Sequence, residues 1–246
     1  MQLESQISSR ANPRFKALRA LLAAGGPRRT HTLLLGEKLI LAWSEAAGRD
    51  RLRPETWLRL EGAAAHPLER SLARETLVLG ETLMRDLAEA GSPPEHALLA
   101  GLGPEPGGPL PDRVIVPWGI QDPGNLGAIL RSAAAFGFQE ALLGPLCADP
   151  FHPKALRGSM GAAFLMPLRR TGALGLDGGP GAVPLDRADL REPLRILVGN
   201  EGHGWQGADL PAPVLRVAIP TRGVESLNAA VAAGIACYEC ARRAAP

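Results

Sequence analysis

The segment Gly101–Asp112, GLGPEPGGPLPD, constrains this chain more than any other stretch. Its glycines and prolines come so densely that neither a helix nor a strand can run through it. A chain of 246 residues is comfortable for two domains of ordinary size. The sequence therefore divides into residues 1–105, a linker at 106–112, and residues 113–246. No internal repeat is visible on either side.

The second part alternates short apolar runs with helical patterns. Strands are predicted at Val114–Pro117, Ala141–Leu143, Ala163–Leu168, Leu194–Gly199 and Leu215–Ile219. A helix follows the first strand, and another covers Ser226–Arg243. Such alternation implies an α/β fold with a parallel sheet, whose ligands gather outside the carboxyl ends of the strands. The first part reads as a small α/β domain. Its helices are expected at Pro13–Ala24, Glu37–Ala47 and Glu81–Ala90. Its strands are expected at Thr32–Leu35, Trp57–Leu60, Thr76–Leu79 and Ala97–Ala100.

Composition removes several classes. A hydrophobic content of 46% is too high for disorder. No run approaches the roughly 18 apolar residues that span a membrane, and the opening MQLESQISSR lacks the pattern of a signal peptide. The expected location is cytoplasmic, and the three cysteines suit a reducing compartment. Cys237 and Cys240 have CxxC spacing without a second Cys/His pair, so two small apolar residues on a helix is the better reading. The five histidines show no metal spacing, and no metal is expected. There is no full GxGxxG and no GxxxxGK[ST], and Ser226 has no nucleophile-elbow context. Hydride transfer, kinase and serine-hydrolase readings weaken accordingly.

The net charge of +2 does not diagnose a nucleic-acid binder, but its distribution is uneven. Within residues 1–30 stand Arg10, Arg14, Lys16, Arg19, Arg28 and Arg29 against the single acid Glu4. Arg10, Arg14, Arg28 and Arg29 are candidate phosphate contacts. A solvated amphipathic helix explains the same charges equally well.

Three strand ends then ask to be read together. After Val114–Pro117 comes QDPGNLGAILRSAAAFGF, Gln121–Phe138. Asp122 or Asn125 caps a helix with Pro123 in its first turn. Leu126, Ile129, Leu130, Ala133 and Gly137 form its buried stripe, and Arg131 lies off that stripe on the first two turns. The second strand end carries Gly199-Asn200-Glu201-Gly202, where glycines admit a ligand close to the backbone. The third is Ile219-Pro220, with Gly223 and then Ser226-Leu227-Asn228 opening a long helix. Each alone is an ordinary β–α turn with a capping residue.

Together, in this order, they resemble the SpoU (TrmH-like) family of RNA ribose 2′-O-methyltransferases. The first family motif is Asn125-Leu-Gly127-Ala-Ile-Leu-Arg131-Ser-Ala133, the second Gly199-Asn200-Glu201-Gly202, and the third Ile219-Pro220, Gly223 and Ser226-Leu227-Asn228. Pro153-Lys154-Ala-Leu-Arg157-Gly-Ser159-Met-Gly161 is similar to a further family segment. The resemblance covers about residues 112–243 and departs in two places. The loop from Gly223 to Ser226 is one residue shorter than in many members, and Thr171–Pro193 holds a glycine-rich run where members place a helix and strand. The N-terminal part is similar, more weakly, to the family's small α/β RNA-binding domain.

The resemblance implies a deep trefoil knot, a homodimer, and S-adenosyl-L-methionine as cofactor near the dimer interface. It implies ribose methylation of RNA, with large-subunit ribosomal RNA favoured over transfer RNA. It makes Arg131 the residue that stabilises the developing ribose oxyanion. Asn125, Glu201, Ser226 and Asn228 are the polar groups around it, and Gly199, Ile219 and Leu227 line the cofactor. Lys154 and Arg157 join the candidate RNA contacts. A transfer-RNA enzyme, a silent RNA-binding member and a knotted enzyme acting on a base nitrogen are the alternatives.

Overall fold

The computed structural model describes residues 3–23, 25–46, 51–88, 92–170, 183–190, 193–199, 217–224 and 226–244. The first part forms a five-stranded mixed sheet. Its strands are β1 (Leu3–Ile7), β2 (His31–Leu35), β3 (Leu52–Leu60), β4 (Glu75–Leu79) and β5 (His96–Leu102), in the order β1-β4-β3-β5-β2. Strands β1, β4 and β3 run parallel, and β5 is antiparallel to both of its neighbours.

Strict alternation explains why this sheet is covered on both faces. Leu33, Leu58, Ala97 and Leu99 point to one side, where α1 (Pro13–Ala23) supplies Phe15 and Leu18, and α4 (Glu81–Ala88) supplies Leu83, Met84 and Leu87. Leu34, Trp57, Leu98 and Ala100 point to the other side, where α2 (Glu37–Glu45) supplies Leu39, Ile40 and Trp43. Strand β3 reaches back to Leu52, beyond the Trp57–Leu60 expected from sequence, because the register shifts between Pro54 and Thr56. Such an irregularity accommodates a proline that cannot donate to the ladder. A short α3 (Glu69–Leu72) precedes β4.

No helix or strand occurs in 103–112. The second part is built on β6 (Arg113–Pro117), β7 (Glu140–Leu143), β8 (Leu168–Arg170) and β10 (Leu194–Val198), all parallel, in the order β10-β6-β7-β8. Helices α5 (Pro123–Ala135), α6 (Pro153–Ser159) and α7 (Ala229–Ala244) accompany it. Three expectations are corrected. Ala162–Phe164 is a 3-10 turn, and the strand of that region begins only at Leu168. Small residues after the left-handed Met160 and Gly161 wind that segment tightly before it extends. The strand expected at Leu215–Ile219 is described only as β11 (Val217–Ala218), exposed and paired with β9 (Val183–Pro184) outside the main sheet. The last helix starts at Ala229, not Ser226, because Asn228 caps it from outside.

One apolar core joins the two sheets. Leu34, Trp43 and Trp57 belong to the same buried cluster as Ile115, Leu126, Ile129, Phe151 and Phe164. Polar contacts cross the same boundary. Asp149 accepts from the Gly26 amide at 2.9 Å and from Arg29 Nε at 2.5 Å, with both side chains under a tenth exposed. The Thr32 hydroxyl donates to the Phe151 carbonyl at 2.7 Å, and Arg51 donates to the Leu168 carbonyl at 2.5 Å.

Candidate functional site

The site is set by the sheet order. Strand β6 pairs with β10 on one side and β7 on the other. Pro117 stands beside Val198, and the Trp118 amide donates to the Val198 carbonyl at 2.8 Å. Two of the motif-bearing chain segments therefore leave adjacent parallel strands at the same carboxyl end, where the topology reverses. Gly199, half-buried, is the first residue past β10.

Helix α5 begins there. Asp122 is its N-cap and accepts from the Asn125 amide at 2.8 Å, with Pro123 in the first turn. Of the two capping options, Asp122 is the one used, which frees the Asn125 side chain for other contacts. The Lys154 ammonium binds Asp122 at 2.5 Å and holds its carboxyl below the usual range, helped by the Asn125 amide.

Gly127, the glycine of the first motif, lets α5 touch α6. A Cβ there would sit 2.3 Å from the Ala155 carbonyl oxygen and 2.8 Å from the Ser159 amide nitrogen. Gly158 returns the favour, lying close to the backbone of Gly124. The sequence marks Gly127 as part of a motif, but only the packing shows why a side chain is excluded.

Asn228 Nδ2 donates to Asn125 Oδ1 at 3.2 Å, across 103 positions of chain. Asn228 Oδ1 meanwhile accepts from the amides of Ala230 at 2.9 Å and Val231 at 3.3 Å, capping α7. One asparagine thus fixes the start of α7 and ties the first and third motifs together. Ser226 is exposed and Leu227 and Ile219 are half-buried on the approach to that helix. Glu201 lies outside the described residues, as do Asn200 and Gly202.

Arg131 is exposed, as expected, but it is the ninth residue of α5 and so stands in the third turn, not the first two. Among the described residues no ion pair engages it. The Cβ vectors of a helix lean toward its N-terminus, so a long side chain here extends back toward the Asn125 end.

The candidate RNA contacts separate by their partners. Arg10 is held by both oxygens of Asp86, and Arg14 by Glu75 and the Ser5 hydroxyl. Arg28 is exposed. Arg29 is corrected as a phosphate contact: its side chain is 5% exposed and serves the buried pair with Asp149. Lys154 and Arg157 are exposed on α6, three residues apart and so on one face. Sequence reading missed Asp149, Asp122's partnership with Lys154, and the left-handed Met160.

Cys237 and Cys240 are buried free thiols. Burial pushes Cys237 up to about 12 and Cys240 up to about 11, so both are neutral fillers on the buried face of α7. Among the described residues no His, Cys, Asp or Glu cluster could hold a metal, and no helix is long and apolar enough to cross a membrane.

The sequence model described as the SpoU rRNA Methylase family matches residues 112–238. An uncharacterised tRNA/rRNA methyltransferase of Synechocystis is 31% identical over 97% of this chain and 94% of its own length. The 23S rRNA (guanosine(2553)-2′-O)-methyltransferase RlmP of Bacillus subtilis is 30% identical over 95% of this chain and 98% of its own. Among solved structures, an RNA 2′-O ribose methyltransferase superposes with a TM-score of 0.76 at 29% identity, covering 97% of this chain and 99% of that one. The methyltransferase AviRb of Streptomyces viridochromogenes, in complex with its cofactor AdoMet, gives 0.78 at 25% identity, covering 94% and 98%.

Proposed function

Because the chain belongs to the SpoU rRNA methylase family and is an RNA methyltransferase, we propose that it methylates a ribose 2′-hydroxyl in large-subunit ribosomal RNA. S-adenosyl-L-methionine is the expected cofactor, as in the AdoMet-bound relative. The observation that supports the reading most is the hydrogen bond from Asn228 to Asn125, which brings two distant motifs to one strand end near an exposed arginine. The name of the Bacillus relative favours ribosomal over transfer RNA.

The described part of the site suits such a cofactor. Gly199, Ile219 and Leu227 are apolar and only half-buried, which leaves each of them reachable by a cofactor. When bound, the cofactor supplies a methyl group on a sulfonium. The chain's own residues do the rest. Arg131 places a fixed positive charge where the ribose oxygen gains negative charge, and its fork orients the neighbouring phosphate. With the cofactor bound, the oxygen–methyl bond would form as the sulfur–methyl bond breaks to leave a neutral thioether, and the hydroxyl proton would pass to phosphate or solvent. Asn125, braced by Asn228, positions the ribose or Arg131, and Ser226 and Glu201 supply further polar groups.

The same reading assigns residues 1–105 to RNA binding and residues 113–246 to a catalytic domain with the family's trefoil knot. It makes the protein a homodimer. Support comes from an apolar face between α5 and α7, where Val231 is 51%, Ile235 38% and Tyr238 52% exposed. Ala128 and Ser132 of α5 line that groove, and Arg131 lies on the same side of the helix. A second copy seated there would close over the arginine.

Arg131→Ala should keep cofactor binding by isothermal titration and lower methyl transfer to ribosomal RNA by about 10²-fold or more. Arg131→Lys should rescue little, because a point charge does not replace a planar fork. Unchanged rates in Arg131→Ala would remove the assigned role. Mass spectrometry of nuclease digests should find the methyl group on ribose and not on a base.

A further inference from the structure

A second cleft opens between the amino end of α2 and the outer face of α6. Its volume is about 470 Å³, within the range of small-molecule sites. Leu39 and Leu156 give it apolar walls, and Glu37, Lys38, Arg157 and Met160 stand around them. None of this belongs to the strand-end site.

Arg29, Arg59 and Lys154 are all engaged by carboxylates. Lys38 and Arg157 are exposed, and among the described residues neither has an ion-pair or hydrogen-bond partner. Two such cations beside one cleft complement a phosphate. Glu37 is steadied on one side, where His66 Nε2 lies 3.2 Å from Oε1, and its second oxygen keeps acceptor capacity. Glu95 adds a second carboxylate to the lining, so the cleft is not a simple anion sink.

Met160 is the unusual wall. It ends α6 with φ 49° and is 52% exposed. A left-handed methionine is uncommon and costs backbone energy that glycine would not. A flexible thioether at that edge suits an aromatic face. The following Gly161 is also left-handed, and a Cβ there would lie 2.7 Å from the Ala42 Cβ of α2. That contact keeps the two helices close and the cleft narrow.

We propose that this cleft holds one unpaired guanine nucleotide of the RNA substrate. The base enters between Met160 and the apolar wall. Its adjacent N1–H and N2–H donors meet Glu37, and its phosphate meets Arg157 and Lys38. Unpaired bases are read in this manner, on the pairing edge and by stacking. Arg157 lies three residues after Lys154, about 5 Å along α6, and Lys154 binds the Asp122 cap of α5. The proposal rests on the RNA-methyltransferase reading above.

The test uses fluorescein-labelled octauridylate and the same probe carrying one central guanine, adenine or cytosine, read by fluorescence anisotropy with the full chain. The guanine probe should bind at least about five-fold more tightly than octauridylate, the low end of a two-bond base contact. Glu37→Gln should erase that preference. Arg157→Ala should weaken all probes alike and flatten the salt dependence. Met160→Gly should raise thermal stability while lowering affinity, a combination that a purely structural role does not give. In methyl transfer to ribosomal RNA, Glu37→Gln should raise KM and leave kcat unchanged. Equal binding of the guanine and uridine probes, or a preference that survives Glu37→Gln, would overturn the proposal. A protein that methylates no RNA yet shows the guanine preference would keep the cleft and defeat the catalytic reading. A protein that methylates normally in both the Glu37 and Arg157 variants would do the reverse.

Discussion

Asn125 and Arg131 sit six positions apart on one helix, and their surroundings already separate their roles. Asn125 is tied into the fold by Asn228, whereas Arg131 stays exposed with no ion pair among the described residues. Another single residue carries a pH prediction. Burial alone would raise the carboxyl of Glu69, but hydrogen bonds from Thr76, Arg59 and the His66 amide outweigh it and hold it below the usual range. A depressed folded pKa contributes stability above the unfolded pKa, and that stability is lost as pH falls through the folded value. Urea midpoints should therefore drop as pH falls below the ordinary glutamate value of about 4.3, and Glu69→Gln should flatten that drop. The buried thiols give a second check. Iodoacetamide at about pH 8 should leave Cys237 and Cys240 unmodified until urea unfolds the chain, and rapid labelling of the native protein would contradict their burial.

At the scale of elements, the crossing of α5 on α6 is the contact most exposed to a single methyl group. Gly127→Ala forces a backbone shift, because the atoms it meets are a carbonyl oxygen and an amide nitrogen. Overpacking of this kind costs about 1–3 kcal/mol, so the melting temperature should fall by several degrees. An unchanged melting temperature would show that the helices separate freely. Most elements were legible in the sequence through periodicity and caps, as at Pro13–Ala23, Glu37–Glu45 and Pro123–Ala135. The misreadings have local causes. Ala163–Leu168 is apolar enough for a strand, yet its first residues are wound by the left-handed pair before them. Ser226 and Asn228 both have N-cap chemistry, and only the amides of Ala230 and Val231 donating to Asn228 Oδ1 show which one is used.

For the whole molecule, the boundary between the two sheets is built as part of the core. Arg29→Met leaves buried Asp149 with only the looser Arg170 contact at 3.9 Å, at a cost of up to about 3–5 kcal/mol, and should lower the urea midpoint of the entire chain in one transition. Two separated transitions would mean that the halves unfold independently. The α5–α7 face carries the assembly prediction. Sedimentation should give about twice 25.9 kDa, consistent with one closed two-fold pair, and Ile235→Asp should give the monomer with loss of methyl transfer. A wild-type monomer would refute the homodimer.

The sequence by itself determined the alternating elements, the break at the proline-rich segment, and three ordered motifs that named a family. Those are local patterns of spacing and residue type, and a chain carries them whatever its partners. Only the tertiary structure decided that Arg29 faces inward, that Gly127 exists for a helix crossing, and that Asn125 and Asn228 meet. Each of those depends on a contact between residues far apart in the chain. Such contacts arise from the order of strands in the sheet and the fit of helices on it, which periodicity does not encode.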